Sequence, residues 1–378
     1  MKRFFYLSRS IIPSKNANSV HVMKMCDEFA KLEYEVTLVA RYDRDASLDK
    51  VREQYGCHEA FSIRNPLPRF LSKLPTKLAL FLYSLCSALS VFSAKPNLVF
   101  GRDIIPLMLI ALFDKKRNVV IELHKPIAEL HPLIKWCIDA LYQKQGNIRF
   151  VVISEALKRL ILLEGVIESH DVMVFHDGAT LSEKDQLKAV ELRGNHNFNV
   201  GYTGHLYNGR GIEIILGLAA KNPDVGFHLV GGTDSDIQYW KQESNTNNVN
   251  FYGHQPNSLI SSYLDSFDAL LAPYQKVVNV SGGGGNTVEY MSPLKIFEYM
   301  AARKPIICSN LPVLGEVLNQ NNALLVNESS VEEWHSGLSM LMNDFDYSDL
   351  IAECAYKDLL ENYTWSIRAR GIRDFICR

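Results

Sequence analysis

The chain has 378 residues, of which 47% are hydrophobic and 22% are charged, and its net charge at pH 7 is −2. This composition excludes a disordered or collagen-like chain, and the length allows two globular domains. Seven scattered cysteines with no close C-x-x-C pair indicate reduced thiols and exclude the common zinc patterns, so we expect a cytoplasmic protein without a metal site.

The first half of the chain alternates apolar runs with helical patterns, which predicts a parallel α/β domain. Predicted strands cover 4–7, 36–40, 97–100, 119–123, 150–154 and 172–175. Predicted helices include one ending near Leu32, one over 106–113 and one over 155–163. His124 follows the 119–123 strand, where an imidazole that titrates near neutral pH can donate to a sugar oxygen.

One segment of the first half has two interpretations. Residues 66–95 carry Arg69, Lys73 and Lys77 before a mostly apolar run over 78–92 that contains three serines. This run is short and serine-rich for a transmembrane span. A basic flank followed by an apolar helix favours contact with an anionic bilayer. A helix buried on a sheet is the alternative.

The alternation restarts after a polar segment, so we place the domain boundary near Gly178. Predicted strands cover 198–202, 226–230, 248–252, 269–272, 305–308 and 323–326, and predicted helices begin near residues 212, 292, 331, 348 and 365. Lys and Arg outnumber Asp and Glu by 25 to 19 through Asp177, whereas the ratio is 15 to 23 afterwards. Two doubly wound sheets that face each other across a cleft would place ligands at the carboxyl ends of their strands.

The start of the helix near residue 292 has the features of an anion site. Ser292 is a favoured N-cap and Pro293 suits the first helical position. The amides of Leu294 and Lys295 would then point toward a phosphate, and Lys295 adds a positive charge. Glu298 lies about one turn later and can accept hydrogen bonds from sugar hydroxyls. An ordinary capped helix after the glycine-rich segment 281–286 is the alternative.

Other strand ends of the second half also carry polar groups. Gly204 and His205 end the 198–202 strand, and Arg210 is flanked by glycines, which gives its guanidinium room to reach a phosphate bidentately. Gly253 ends another strand, where its backbone could read a nucleobase edge. Each residue taken singly has a structural or solvated role as the alternative. Patterns typical of serine hydrolases, zinc proteases and P-loop proteins are absent from the sequence.

Together these motifs resemble the retaining glycosyltransferases of family four, which have the GT-B fold of two facing Rossmann-like domains. The resemblance covers nearly the whole chain and is carried mainly by 202–207 with Arg210, by 229–232, by 251–253 and by 292–305. It implies an acceptor-binding domain over 1–178, a nucleotide-sugar-binding domain over 179–360, and a C-terminal helix over 361–378 that packs back on the first domain. It also implies metal-independent transfer without a cofactor.

The resemblance assigns roles to individual residues. Arg210 matches the basic residue on the donor diphosphate, Lys295 belongs to the phosphate cradle, and His124 matches a histidine near the donor sugar. We therefore predict His124, Arg210 and Lys295 as catalytic groups. The predicted donor-binding residues are Gly204, His205, Gly253, Ser292, Leu294 and Glu298.

The sequence departs from the family pattern at two of these places. Glu298 matches the second carboxylate of an E-x7-E pattern, but Tyr290 occupies the position of the first, with Glu289 beside it. His205 stands where many members carry arginine. Asp-x-Asp pairs at 43/45, 234/236 and 344/346 are interpreted as solvated acids.

The predicted function is transfer of a hexose from a UDP- or GDP-sugar to a glycan, with a lipid-linked acceptor in bacterial surface polysaccharide synthesis. The enzyme would lie in the cytoplasm with a possible peripheral contact to the inner face of the membrane, and no nucleic-acid partner is expected. A nucleotide-sugar epimerase of the same fold and a non-catalytic nucleotide-sugar-binding subunit are the alternatives.

Overall fold

The structure, a computed structural model, describes residues 2–42, 45–68, 70–71, 75–143, 146–181, 187–188, 190–278 and 286–376. The chain forms two compact units. The first extends to His176 and includes the C-terminal segment from Trp365, and the second runs from Asp177 to Thr364. The boundary thus lies two residues before the position expected from the sequence. The C-terminal segment joins the first unit four residues later than the predicted start at 361.

The first unit contains a seven-stranded parallel sheet in the order β3-β2-β1-β4-β5-β6-β7. Its strands are β1 (Lys2–Ile12), β2 (Tyr34–Tyr42), β3 (Ser62–Arg64), β4 (Leu98–Gly101), β5 (Val119–Leu123), β6 (Ile148–Val152) and β7 (Val172–Val174). Its helices are α1 (Ala17–Lys31), α2 (Leu48–Gln54), α3 (Thr76–Ala94), α4 (Ile104–Phe113), α5 (Pro132–Tyr142), α6 (Glu155–Leu163) and α13 (Trp365–Ile376).

The second unit contains a six-stranded parallel sheet in the order β10-β9-β8-β11-β12-β13. Its strands are β8 (Phe198–Thr203), β9 (Val225–Val230), β10 (Val249–Gly253), β11 (Ala269–Ala272), β12 (Ile306–Ser309) and β13 (Leu324–Val326). Its helices are α7 (Ile212–Lys221), α8 (Asp234–Glu243), α9 (Asn257–Asp265), α10 (Leu294–Ala302), α11 (Val331–Asn343) and α12 (Phe345–Asn362).

Both sheets are buried on their two faces, which explains why their strands are continuous apolar runs. β5 and β11 are fully buried along their length, and the predicted bounds of both strands are confirmed. The core of the second unit packs Tyr202, Phe227 and Trp334 between the sheet and its helices. In each sheet the strand order reverses beside the first strand of the unit, at β1 and at β8. Ligand sites of open α/β sheets lie at such points, beyond the carboxyl ends of the strands.

The start of α6 agrees with the sequence, whereas α12 begins at Phe345, three residues before the predicted start. The Ser154 hydroxyl accepts the Leu157 amide, and α6 has the predicted bounds. By contrast, the prediction that Ser292 caps α10 is wrong. The helix begins at Leu294 after an extended Pro293, and the Ser292 hydroxyl accepts the Asp177 amide instead (3.1 Å). The backbone of Pro293 is itself extended (ψ 118°), so the helix begins after the proline and not directly after Ser292.

Candidate functional site in the second unit and a buried ion cluster in the first

The carboxyl ends of β8, β9 and β10 are joined through glycines. The Gly204 amide donates to the Val230 carbonyl (2.9 Å), and the Gly231 amide donates to the Gly253 carbonyl (2.8 Å). Gly204 has a φ of +137°, which disfavours a side chain there. A Cβ on Gly231 would lie 2.0 Å from the Gly204 carbonyl oxygen. The three strand ends therefore form one close-packed backbone ledge, which includes the predicted residues Gly204 and Gly253.

Lys295 places a cation beside this ledge. It lies in the first turn of α10, and its ammonium is 3.7 Å from the ring centroid of Tyr202 and 4.9 Å from that of Tyr274. Lys295 is 8% exposed, and its Nζ has no hydrogen-bond partner among the described residues. Burial and the nearby Arg210 guanidinium hold the pKa of Lys295 well below its usual value, although Glu298 opposes them. A buried ammonium of this kind is costly unless a charged group compensates it.

Arg210 places a second cation at the same aromatic cluster. Its guanidinium carbon is 4.8 Å from the ring centroid of Tyr207 and 5.4 Å from that of Tyr274. One terminal nitrogen donates to the Tyr207 hydroxyl (2.5 Å), while Nε has no hydrogen-bond partner in the described part of the chain. Burial works against the charge of Arg210, but the neighbouring tyrosines outweigh it and raise the guanidinium pKa. Lys295 and Arg210 thus border one tyrosine ring and form a paired cationic site.

The start of α10 supplies the remaining polar groups of the site. The first amide of α10 that bonds back into the chain is that of Ile296, which donates to Pro293 (3.0 Å), so the Leu294 and Lys295 amides precede the intrahelical bonds. Glu298 is half-buried one turn later, close enough to Lys295 to favour its charged form. The structure thus brings together Leu294, Lys295 and Glu298. The glycines at 282–285 lie outside the described residues.

His205 lies at the edge of this site. Its ring is 5.1 Å from the ring of Tyr207, and its carbonyl accepts the Tyr202 hydroxyl (2.6 Å). Burial lowers the pKa of His205, and the positive charges of Arg210 and Lys295 lower it further. The imidazole is therefore neutral at pH 7 and can act as a hydrogen-bond donor or acceptor without adding to the repulsion between the cations.

The positions before α10 match the departure noted in the sequence. Tyr290 is 4% exposed, whereas the adjacent Glu289 is exposed to solvent. The first carboxylate of the E-x7-E pattern is therefore not replaced by Glu289 at the same buried position.

In the first unit, His124 belongs to a buried cluster centred on Glu122. Oε1 of Glu122 lies 3.0 Å from Nε2 of His21, 3.1 Å from Nε2 of His124 and 2.6 Å from the guanidinium of Arg368. The other carboxylate oxygen accepts the Tyr6 hydroxyl (3.0 Å). These contacts join β1, α1, β5 and α13 within one unit.

The protonation states of this cluster follow from its charges. Although burial opposes ionisation, His21, Arg368 and His124 hold the pKa of Glu122 well below its usual value. Burial and the positive charge of Arg102 lower the pKa of His124 to about 4, against the pull of Glu122. Glu122 is therefore ionised and His124 is neutral at pH 7.

The side chains of His21, Glu122 and His124 have ligand atoms within 4.8 Å of one another, close enough in principle to hold a metal ion. The donor set fits a metal poorly, because the Arg368 guanidinium already neutralises the carboxylate at 2.6 Å. We therefore describe the cluster as an ion-pair network rather than a metal site.

Two of the Asp-x-Asp pairs have structural roles. The Asp236 side chain accepts the Thr233 amide in a capping box at the start of α8. The Asp344 side chain accepts the Tyr347 amide at the start of α12 (2.9 Å). Asp43 lies outside the described residues. One aspartate of each of these two pairs therefore caps a helix.

Sequence reasoning missed the aromatic and ionic partners of the site. Tyr202 and Tyr274 both contact Lys295, and Tyr274 also contacts Arg210, yet in the sequence the two tyrosines look like ordinary core residues. Glu122 and Arg368 are 246 positions apart, so no local pattern joins them. The one available signal was a glutamate inside an otherwise apolar strand, since a charge there needs a partner.

The comparisons with known proteins agree with this architecture. Residues 197–344 match the model of a family described as glycosyl transferases group 1. An uncharacterized glycosyltransferase of Methanocaldococcus jannaschii is 21% identical over 271 residues, which are 67% of this chain and 66% of the relative. The match thus spans just under two thirds of that relative's length.

Two solved structures extend the likeness to the whole chain. HepE of Anabaena, crystallised with UDP and glucose, superposes with a TM-score of 0.71 at 16% identity and covers 100% of both chains. The apo form of WaaB, a lipopolysaccharide outer core galactosyltransferase, gives a TM-score of 0.64 at 14% identity and covers 100% of this chain and 99% of its own. The predicted fold class, GT-B with two parallel-sheet α/β domains, is confirmed. The family match lies within the second unit, and the solved structures show the fold of the whole chain.

Proposed function

We propose that the protein is a retaining glycosyltransferase of family four that transfers a hexose from a nucleotide-diphosphate sugar to a glycan. The observation that carries the proposal is a pair of cations beside the start of α10, namely the buried Lys295 and the half-buried Arg210. Two cations that share one tyrosine ring, one of them buried, destabilise the free protein, and a diphosphate would neutralise both. Glu298 would then hold the ribose hydroxyls of the nucleotide.

The charge of the site fits the proposed reaction. When the bond between the sugar C1 and the phosphate oxygen breaks, negative charge develops on the leaving nucleoside diphosphate. Lys295, Arg210 and the first amides of α10 would stabilise that charge. In a front-face displacement the acceptor oxygen bonds to C1 from the side of the leaving group, and its proton passes to the departing phosphate. His124 would contact the donor sugar as a neutral donor.

Two further features of the donor site belong to the proposal. UDP is favoured over GDP, because HepE was crystallised with UDP and glucose. Transfer does not require a divalent metal, because one aspartate of each of two Asp-x-Asp pairs is used as a helix cap and the cations of the second unit can take over the role of a metal. Full activity in EDTA would support the second statement, and activity that returns only with added Mg²⁺ or Mn²⁺ would contradict it.

The acceptor is proposed to be a lipid-linked glycan of bacterial surface polysaccharide synthesis. WaaB acts in lipopolysaccharide synthesis by its name, which supports an acceptor of this class. α3 is long and apolar enough to cross a membrane by length and composition, and 28% of its most apolar window is buried. Its exposed side chains support a peripheral contact of a cytoplasmic enzyme with the inner face of the membrane.

The proposal is tested by nucleotide binding and turnover with matched variants. Calorimetry should show that UDP binds to the wild type, and that Lys295→Ala weakens binding at least tenfold. Lys357→Ala is the control, because Lys357 is an exposed lysine of α12 with a 75% exposed side chain. Labelled UDP-hexose should yield UDP in the presence of a glycan acceptor. A wild-type protein that binds neither UDP nor GDP would exclude the proposed donor site.

Tyr290 supports one other function, a non-catalytic subunit that binds a nucleotide sugar. The buried tyrosine stands at the position of a carboxylate in related enzymes, so the donor sugar could be held without being transferred. The same assay separates the possibilities. Binding without turnover favours the subunit, and a changed sugar without added acceptor favours an epimerase.

A further inference from the structure

A cavity of about 760 Å³ opens at the amino ends of the sheet strands in the first unit. His124 follows the carboxyl end of β5, which lies at the opposite edge of the sheet. The cavity is therefore separate from the surroundings of His124. Its lining includes the following five basic residues and one acid: Lys2, Lys95, Lys116, Arg117, Arg149 and Asp114. The charged groups of the lining thus carry a net charge of +4.

The five cations are of two kinds. Arg117 is fixed by Asp114 (2.8 Å) and by the Pro96 carbonyl, and Arg149 is fixed by the Phe375 carbonyl. Lys2, Lys95 and Lys116 are exposed and form no ion pair with a carboxylate in the described part of the chain. The cavity therefore combines two rigid guanidinium groups with three lysines whose charges face solvent.

An apolar surface adjoins this basic cavity. α3 exposes a stripe of side chains at helical spacing, namely Leu78 (46%), Phe81 (60%), Leu85 (40%) and Leu89 (54%). Phe113 at the end of α4 is 72% exposed, and its ring lies 6.4 Å from the ring of Phe92 on α3. Lys95 directly follows α3, and Lys116 lies three residues after Phe113. Apolar side chains and cations thus meet at the ends of the two helices.

Acidic residues are scarce in the segment that forms this apolar surface. From Thr76 to Phe113 the chain has one acidic residue, Asp103, which is 3% exposed and bound to Arg9 (2.8 Å). The exposed face of α3 therefore presents no carboxylate. Lys77 stands at its start and Lys95 at its end. An apolar stripe with cations at both ends is the pattern of a helix that lies in the interface of an anionic bilayer.

We infer that the cavity binds the phosphate headgroup of an anionic phospholipid while α3 and Phe113 enter the lipid interface. The guanidinium groups of Arg117 and Arg149 offer fixed donors to phosphate oxygens, and the lysines contribute long-range attraction. The inference deepens the membrane contact of the proposed function by assigning a specific headgroup site. It does not depend on which sugar is transferred.

The test measures binding to vesicles of phosphatidylcholine alone and of phosphatidylcholine mixed with phosphatidylglycerol. The wild type should sediment with the mixed vesicles only. The double variant Lys95→Gln/Lys116→Gln should bind them about 30-fold more weakly, since each lysine near an anionic surface contributes about fivefold. The control is Lys221→Gln/Lys357→Gln, which removes the same charge from the second unit and should bind like the wild type.

A second variant separates the headgroup from the apolar contact. Phe81→Ser/Leu89→Ser should lose vesicle binding and keep binding to short-chain phosphatidylglycerol below its micelle concentration. The cavity variant, Lys95→Gln/Lys116→Gln, should bind both the mixed vesicles and the short-chain lipid more weakly than the wild type does. UDP calorimetry on every variant should be unchanged, so that failure of this inference is distinguishable from failure of the donor site.

Four results would overturn the inference. They are equal binding of the cavity variant and the wild type to mixed vesicles, equal binding of the wild type to the two vesicle types, binding of inorganic phosphate that the mixed vesicles do not displace, and tighter binding to a single-stranded RNA oligomer than to the vesicles.

Discussion

At the scale of single residues, the buried ammonium of Lys295 destabilises the free second unit at the place where we propose that an anion binds. Lys295 is buried against Tyr202 and Tyr274 and is repelled by Arg210. Cation–π contacts offset only part of the desolvation of an ammonium. Sites of this kind trade stability of the free protein for affinity toward an anion.

This trade predicts that Lys295→Met makes the free protein more stable. Methionine keeps the length of the side chain and removes the buried charge, so the free energy of unfolding in urea should rise by about 1–2 kcal/mol. Binding of UDP should be lost in the same variant. Lys357→Met is the control and should change the free energy of unfolding by less than about 0.5 kcal/mol. A Lys295→Met protein that is less stable than the wild type would show that the ammonium is already compensated.

His228 predicts a pH dependence of stability. Its ring is fully buried, with Nδ1 2.9 Å from the Tyr252 hydroxyl and Nε2 3.0 Å from Oδ1 of Asn199. Burial, with a contribution from His196, lowers the pKa of His228 from 6.5 to about 4. Between these values the unfolded chain binds a proton that the folded chain does not bind. Stability should therefore fall as the pH falls from 6.5 to 4, with a slope of up to about 1.4 kcal/mol per pH unit.

The measurement is urea unfolding at several pH values between 7 and 4. His228→Gln should reduce the slope, although His124 titrates in the same range and keeps part of it. His170→Gln is the control, because its side chain is 78% exposed. An unchanged slope in His228→Gln would exclude His228 as a source of the acid sensitivity.

At the scale of elements, a buried ion pair joins α13 to the sheet of the first unit, in addition to the apolar side chains that the helix buries. Arg368 contacts Glu122 (2.6 Å) and donates to the His176 carbonyl (3.0 Å), and both charged side chains are almost fully buried. Removal of one partner leaves the other charge uncompensated in the core. The terminal helix is therefore coupled energetically to the strand end that carries His124.

We predict that Arg368→Ala lowers the free energy of unfolding by about 3–5 kcal/mol, whereas Arg373→Ala changes it by less than about 0.5 kcal/mol. Arg373 lies on the same helix and pairs with its exposed neighbour Asp374. Urea unfolding followed by circular dichroism measures both. Similar stabilities of the two variants would show that the buried pair contributes no more than a surface pair.

Some elements can be predicted from neighbouring residues alone, and others depend on contacts between distant residues. Long apolar strands such as β5 and β11 were predicted with their bounds, because burial on both faces leaves a continuous run. β3 has three residues with one buried side chain, and such a strand has no periodic signal. The cap of α10 was mispredicted because the Ser292 hydroxyl bonds to Asp177, 115 positions away.

The same distinction applies to the candidate site. Glycines at strand ends, Arg210 and the start of α10 are adjacent to recognisable strands and were predicted from the sequence. The aromatic surroundings of Lys295 and the partners of Glu122 arise from packing between distant segments. A single sequence records which residues are charged, but the distances that decide their protonation depend on the folded chain.

At the scale of the whole molecule, the two units differ both in net charge and in the kind of site that each carries. The proposed donor cations all lie in the second unit, although that part of the sequence is acidic, whereas the exposed apolar helix and the basic cavity lie in the first. The position of the proposed anion site therefore depends on where individual cations are buried and not on the net charge of the unit. The net charge of the first unit is suited to long-range attraction to an anionic surface.

This division predicts where a nucleotide slows hydrogen exchange. UDP at 100 times its dissociation constant should slow exchange by up to about 100-fold at amides that open only with the whole second unit, because binding selects the folded form. The largest change should fall in peptides over 202–211 and 294–299, which contain Gly204 of the ledge and both cations. Peptides over 76–95 should change least, since α3 contributes nothing to the donor site. Mass spectrometry of the wild type and Lys295→Ala measures the difference, and the variant should lose the protection. Protection by UDP that is strongest in α3 would place the nucleotide in the first unit and contradict the assignment.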